Sequence, residues 1–201
     1  MKLFLFFALS TLIQIANAQV KVTKLDSKAL PKSVNFKGKV INAIKYIDKD
    51  GEQLVITTED RSQNENFKSA DLYAYHYNLK DNKFMLTWKV HDFVADCSLD
   101  LTASFLPGTF AVTDLNKNGK AEVWLMYQTA CRGDVSPIIM KIIMYEAEKK
   151  YAVRGTHKVK VSEKEFIGGE YRFDDAFATG SEIFKQYAVE LWKKNLMEKW
   201  N

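Results

Sequence analysis

Segment 114–122 carries the clearest chemistry in this chain. It reads D-L-N-K-N-G-K-A-E, so oxygen-bearing side chains stand at its first, third, fifth and ninth places, and a glycine stands at its sixth. A hard cation such as Ca²⁺ takes about six to eight oxygen ligands, and a chain must turn sharply to supply several of them. The predicted Ca²⁺ ligands are the side chains of Asp114, Asn116, Asn118 and Glu122 and the main-chain carbonyl of Lys120.

Two other structures could account for the same segment. An EF-hand needs a bidentate Glu at the twelfth place and flanking helices, but this chain has Leu125 there and strand-like residues on both sides, at 111–113 and 123–127. A bare hairpin turn is the stronger alternative, because Asn118-Gly119 is itself a favoured two-residue turn. The sequence excludes the EF-hand and leaves the cation loop and the bare turn open.

A weak internal repeat supports the same turn shape elsewhere. Aligning Gly51 with Gly119 places segment 46–51 over segment 114–119, and each copy is followed by a strand pattern. The earlier copy has Tyr46 at the first ligand place and Leu54 at the ninth. We therefore predict a hairpin turn without a metal there.

The chain contains two cysteines, Cys97 and Cys131. In an oxidising compartment they would pair, closing a loop of about 35 residues that stabilises the fold by roughly 3–4 kcal/mol in the chain-entropy model. Two buried free thiols, or one catalytic thiol, are the alternatives. Two cysteines and three scattered histidines form no recognisable zinc pattern.

The chain start predicts the compartment. Residues 1–18 have a lysine, an apolar run of 13 residues and a small-x-small site before Gln19, the anatomy of a secretory signal peptide. A spanning helix needs about 20 apolar residues. We expect cleavage after Ala18 and a secreted, periplasmic or cell-envelope protein of one domain, residues 19–201, with no transmembrane segment in the mature chain. Removing Lys2 lowers the net charge from +4 to +3, and interleaved charges predict no nucleic-acid binding.

Strand patterns dominate the rest of the chain. Alternating or β-branched runs occur at 40–46, 53–58, 72–79, 83–93, 109–113, 121–129, 138–146 and 151–161. After Glu182 the apolar residues recur every three or four positions, which predicts an amphipathic helix over about 181–200. Thr179 and Glu182 have the spacing of a capping box. The predicted fold is mainly β, with antiparallel meander sheets and one C-terminal helix packed on a sheet.

Several ionisable residues are candidates for catalysis. His91, Asp92 and Asp96 are close in sequence, and Asp92, Asp96 and Asp100 could supply the pair of carboxylates that a glycosidase needs. No nucleophile, zinc-protease or phosphate-binding motif is present. A groove of Tyr73, Tyr75, Tyr77 or Trp88 would instead indicate glycan binding. Arg132-Gly133-Asp134 matches the integrin-binding tripeptide, although a turn-stabilising pair is the simpler interpretation.

Two resemblances extend these predictions. The spacing D-x-N-x-N-G-x-x-E resembles the calcium hairpin of FG-GAP and VCBS-type repeats, in which an acid at the ninth place closes the site. Segments 112–122, 131–137, 141–146 and 150–155 resemble a family of exported Bacteroidetes proteins labelled surface polysaccharide biosynthesis proteins. The family label implies no particular reaction. We therefore expect a non-enzymatic exported protein that supports surface polysaccharide biosynthesis or envelope assembly and is stabilised by one Ca²⁺ hairpin and one disulfide. Its expected partners are surface glycan or envelope components. An envelope carbohydrate-active enzyme and a glycan-binding or adhesin module are the alternatives.

Overall fold

A computed structural model describes residues 20–198, so the predicted signal peptide lies outside the described residues. The first of two large sheets is an antiparallel meander in chain order. Its strands are β1 (Lys21–Lys24), β2 (Lys39–Asp48), β3 (Gly51–Gln63), β4 (Lys68–Lys80) and β5 (Lys83–Cys97). A short 3-10 helix, Ser27–Ala29, lies between β1 and β2.

The second large sheet has the order β13-β10-β9-β8-β6, and β7 pairs with β8. Its strands are β6 (Asp100–Phe105), β7 (Ala111–Thr113), β8 (Glu122–Arg132), β9 (Ile139–Glu146), β10 (Lys149–Thr156) and β13 (Tyr171–Phe173). A separate two-stranded sheet joins β11 (Lys158–Lys160) and β12 (Phe166–Gly168). The predicted strand at 151–161 is therefore divided between β10 and β11 at His157.

The two large sheets pack face to face, and strand alternation decides which side chains lie between them. On β8, Val123, Leu125 and Tyr127 point into the core shared with the first sheet. Trp124 and Met126 point to the opposite face. Residues 123–127 of β8 are buried on both faces, which explains why they form a continuous apolar run.

Two helices cover the outer face of the second sheet: α1 (Asp175–Ala178) and α2 (Glu182–Lys194). α2 buries Phe184, Ala188 and Trp192 at helical spacing, as the sequence predicted. The predicted capping box is wrong, because Ser181 is the N-cap of α2 and makes no side-chain capping bond. Thr179 instead ends α1.

The C-terminal helix is shorter than predicted. It ends at Lys194, and the amide of Lys158 then bonds to the carbonyl of Leu196, at 2.8 Å. The amide of Glu198 bonds to the carbonyl of Lys158, at 3.0 Å. Pairing with β11 therefore replaces the last predicted helical turn. Within residues 20–198, no helix combines the length and apolarity needed to cross a bilayer.

The predicted disulfide is confirmed. Cys97 ends β5 in the first sheet and Cys131 lies on β8 in the second, with their Cα atoms 5.6 Å apart. Because the bond joins strands of different sheets, it ties the two halves of the sandwich together.

Candidate cation site

Segment 114–121 connects β7 to β8 as the loop of a β-hairpin, in which Thr113 pairs with Glu122. Strands on both sides agree with the exclusion of an EF-hand. Positive φ angles occur at Lys117 (56°) and Gly119 (80°), so the loop does not turn through Asn118-Gly119 alone. This geometry disfavours the bare two-residue turn, which needs positive φ at both central residues.

Two acidic side chains of segment 114–122, Asp114 and Glu122, each have one carboxylate oxygen that receives no hydrogen bond. Glu122 is fully buried; its Oε2 accepts hydrogen bonds from Thr113 Oγ1 at 2.8 Å and from the Leu115 amide at 2.9 Å. Asp114 Oδ2 accepts from the Gly119 amide at 3.1 Å. The second oxygens, Glu122 Oε1 and Asp114 Oδ1, are buried without a hydrogen-bond partner. Leaving such oxygens unsatisfied costs free energy, and a bound cation would remove that cost.

Burial also raises the pKa of Glu122. Desolvation raises the pKa of its carboxyl, and the negative charges of Asp114 and Glu146 raise it further, while the hydrogen bonds from Leu115 and Thr113 act in the opposite direction. The site therefore disfavours the ionised form of Glu122 unless positive charge is supplied nearby. A divalent cation would supply that charge.

The two asparagines have defined orientations. Asn116 Nδ2 and Asn118 Nδ2 both donate to Glu146 Oε1, at 2.8 and 2.7 Å. Their oxygens face the loop backbone, where Asn116 Oδ1 accepts from the Asn118 amide at 3.1 Å and Asn118 Oδ1 accepts from the Lys120 amide at 2.7 Å. Each amide oxygen retains a second lone pair that a cation could use.

The predicted metal-free turn between β2 and β3 braces this loop from the first sheet. The Lys49 amide donates to the Gly119 carbonyl at 2.9 Å, and its ammonium donates to the Asn118 carbonyl at 2.8 Å. Asp48 Oδ2 accepts from the Ala121 amide at 2.9 Å. The two copies of the internal repeat are thus in direct contact.

The side chain of Lys120 points away from the candidate ligands. Its ammonium lies 3.0 Å from a carboxylate oxygen of Asp50, and this contact raises the pKa of Lys120. Only the main-chain carbonyl of Lys120 was predicted to bind the cation, so this orientation is compatible with that role.

Asp48 also begins a buried hydrogen-bond chain between the sheets. Gln53 Nε2 donates to Asp48 Oδ1 at 2.7 Å, Tyr46 Oη lies 2.9 Å from Gln53 Oε1, and His76 Nε2 lies 2.7 Å from Tyr46 Oη. His76 Nδ1 is bonded to Thr87 Oγ1. Because Tyr46 donates its hydroxyl hydrogen to Gln53, we assign Nε2 as the donor to Tyr46 and Nδ1 as the acceptor from Thr87. In this tautomer the Thr87 hydroxyl bonds to Nδ1 in place of the His76 carbonyl, from which it lies 3.2 Å. Burial lowers the pKa of His76 to about 4, so the imidazole is neutral at pH 7.

Sequence reasoning missed three contributors to the site: Thr113, Asp48 and Glu146. Glu146 could have been found from strand pairing, because β8 and β9 were both predicted and Glu122 lies opposite Glu146 in their register. Asp48 comes from the other sheet, and no local pattern indicates that contact.

The candidate enzymatic residues are not brought together. His91 Nε2 lies 2.6 Å from an Asp71 carboxylate oxygen, whereas Asp92 pairs with Lys141 of the second sheet. Asp96 is exposed. Adjacent residues of a strand face opposite sides, which separates His91 from Asp92.

The tyrosines proposed for an aromatic groove belong to the interior. Tyr73, Tyr75 and Tyr77 lie beneath the segment between β1 and β2, where the Lys37 amide donates to Tyr75 Oη at 3.1 Å. Trp88 lies between the sheets and stacks on His76 with ring centroids 4.8 Å apart. These rings are therefore not available as a glycan platform.

Arg132, the arginine of the Arg-Gly-Asp tripeptide, contacts other residues of this chain. Arg132 forms an ion pair with Glu198 and donates to the Ser136 carbonyl, and its side chain is 13% exposed. It lines a cavity of about 550 Å³ with His157 and Gln128. Asp134 accepts from the Ser136 amide at 2.9 Å. Arg132 thus anchors the C-terminal segment, and its contacts do not favour receptor binding.

Within the described chain, no three His, Cys, Asp or Glu side chains are grouped as metal ligands. The acidic donors of loop 114–122 are the pair Asp114 and Glu122, and its other predicted donors are amide and carbonyl oxygens. Comparisons with protein families, curated proteins and solved structures find no match for this chain.

Proposed function

We propose that this chain is an exported, non-enzymatic envelope protein that supports surface polysaccharide biosynthesis or assembly, and that its β7–β8 loop binds one structural Ca²⁺. The observation that carries the metal proposal is the pair of buried oxygens, Asp114 Oδ1 and Glu122 Oε1, that lack a donor. The proposed ligands are the side chains of Asp114, Asn116, Asn118 and Glu122 and the carbonyl of Lys120. The envelope role rests on the sequence resemblance.

The metal would act as a stabiliser by satisfying groups that the fold has already buried. The proposed ligands all lie in segment 114–122, which leads directly into β8. Asp48 and Lys49, at the turn between β2 and β3, hold this segment against the first sheet. Two formal negative charges among the ligands predict a modest affinity, because Ca²⁺ affinity follows ligand charge. The site would then be filled at the millimolar Ca²⁺ typical of extracellular modules.

The contacts of the three histidines support a non-enzymatic role. His76 is buried between the sheets, His91 is paired with Asp71, and His157 Nε2 is bonded to Gln128 Oε1 at 2.8 Å. A general base needs a partner that orients it and a cleft that admits substrate. None of these three contacts forms a nucleophile–base pair.

Deleting the gene in its native host tests the envelope role. We expect a loss of surface polysaccharide that the wild-type gene restores and that a signal-less gene lacking codons 2–18 does not. Unchanged surface polysaccharide in the deletion strain contradicts the proposed role. Release of reducing sugar from isolated envelope polysaccharide by the purified protein would favour the carbohydrate-active enzyme instead.

A further inference from the structure

Glu146 has an arrangement that the proposed ligand set does not explain. It ends β9 directly opposite Glu122 of β8. Like charges at directly opposed positions of an antiparallel pair destabilise a sheet. A purely structural position would be better served by a neutral or basic residue.

Glu146 is hydrogen-bonded to the side chains of both asparagines of the loop. One oxygen, Glu146 Oε1, accepts from both Asn116 Nδ2 and Asn118 Nδ2. An ionised carboxylate can only accept hydrogen bonds, whereas a side-chain amide has a donor end and an acceptor end. Glu146 therefore acts together with the loop amides that donate to the two asparagine oxygens, and both sets of contacts favour the same one of the two flipped orientations.

We propose that Glu146 is a positioning residue of the Ca²⁺ site, which fixes the amide oxygens of Asn116 and Asn118 in the orientation that can bind the cation. This inference rests on the proposed Ca²⁺ loop. Without Glu146, one backbone N–H group at each amide oxygen is the remaining contact that holds this orientation. A 180° rotation of either amide would present its NH₂ group to the cation, which repels it. Residues that orient metal ligands from outside the coordination sphere typically change metal affinity by about 10–100-fold when they are mutated.

Calorimetric titration of the purified protein with CaCl₂ tests this role. We expect Glu146→Ala to weaken Ca²⁺ binding by about tenfold or more. Glu146→Gln keeps an oxygen that can accept from both amides, so its affinity should stay close to that of the wild type. The matched control is Glu148→Ala, which removes an exposed acid two residues away in the β9–β10 turn.

A double-variant background separates orientation from charge. Asn116→Asp with Asn118→Asp replaces both amides by carboxylates, whose two oxygens are equivalent and need no orienting. Adding Glu146→Ala to that background should leave the affinity unchanged or raise it, because Glu146 would then only repel its neighbours.

The outcomes are distinguishable. If Glu146→Gln loses as much affinity as Glu146→Ala, or if Glu146→Ala weakens the double aspartate variant equally, Glu146 acts through its charge or as a direct ligand and the proposal is overturned. An unchanged dissociation constant in Glu146→Ala, with only a lower melting temperature, reduces Glu146 to a structural residue. No binding heat in the wild type, together with no Ca²⁺-dependent melting shift, refutes the Ca²⁺ loop itself.

Discussion

The burial of His76 predicts that acid weakens the fold over a defined pH range. His76 is 3% exposed, and its imidazole stacks on Trp88 and is hydrogen-bonded to Tyr46 and Thr87. The neutral tautomer satisfies these partners, so protonation would place an uncompensated charge between the sheets. Burial accordingly lowers the pKa of His76 from 6.5 to about 4.

The direction and size of the effect follow from linkage. A histidine whose pKa is lower in the folded state is protonated more readily when unfolded, so stability falls as pH decreases from about 6.5 to about 4. The difference of about 2.5 pKa units, at about 1.36 kcal/mol each, corresponds to roughly 3 kcal/mol. Roughly 2 kcal/mol of this is already lost at pH 5.

Urea unfolding at pH 7 and pH 5 measures this loss, with His76→Gln as the comparison. Glutamine cannot titrate but can still donate and accept hydrogen bonds. The variant should be less stable than the wild type at pH 7, and the stability difference between the two proteins should shrink by roughly 2 kcal/mol at pH 5. An equal pH dependence in both proteins would refute the account of His76.

Two further stability predictions concern the covalent and apolar contacts between layers. Replacing Cys97 and Cys131 together by serine should lower the free energy of unfolding by roughly 3–4 kcal/mol, and equal urea midpoints for this variant and the oxidised wild type would contradict the cross-link's role. Trp192→Ala, which empties a buried site between α2 and the second sheet, should cost about 3–5 kcal/mol. The control is Ile183→Ala on the same helix, which changes a residue that is 39% exposed. Its free energy of unfolding, measured by the same urea titration, should stay within about 0.5 kcal/mol of the wild-type value. Similar losses of stability in both variants would contradict the assignment of the buried face of α2.

Local sequence patterns predicted the features of this fold that residues close in sequence determine. Alternation predicted the principal strands, and the 3.6-residue period predicted the buried face of α2. The β2–β3 turn was predicted from its turn residues, and the structure has Asp48 paired with Gly51. The cysteine pair was predicted from an even count in an oxidising compartment.

Long-range packing decided the features that the sequence did not reveal. Alternating tyrosines on β4 look equally suited to a groove or a core, and only the covering segment between β1 and β2 makes them interior. The last predicted turn of the C-terminal helix was lost because residues 196–198 pair with Lys158. Within the candidate site, Asp48 approaches Ala121 across 73 residues of sequence, a contact that no periodicity encodes.

Thermal unfolding with CaCl₂ and with a chelator tests the central claim most directly. A ligand that binds only the native state stabilises it by about 2.7 kcal/mol at 100 times its dissociation constant, so Ca²⁺ should raise the melting temperature of the wild type. Asp114→Asn and Glu122→Gln each remove one carboxylate from the loop and should reduce that shift, whereas Glu148→Gln outside the loop should retain it. Identical melting of the wild type in millimolar Ca²⁺ and in chelator would contradict a Ca²⁺ site at residues 114–122.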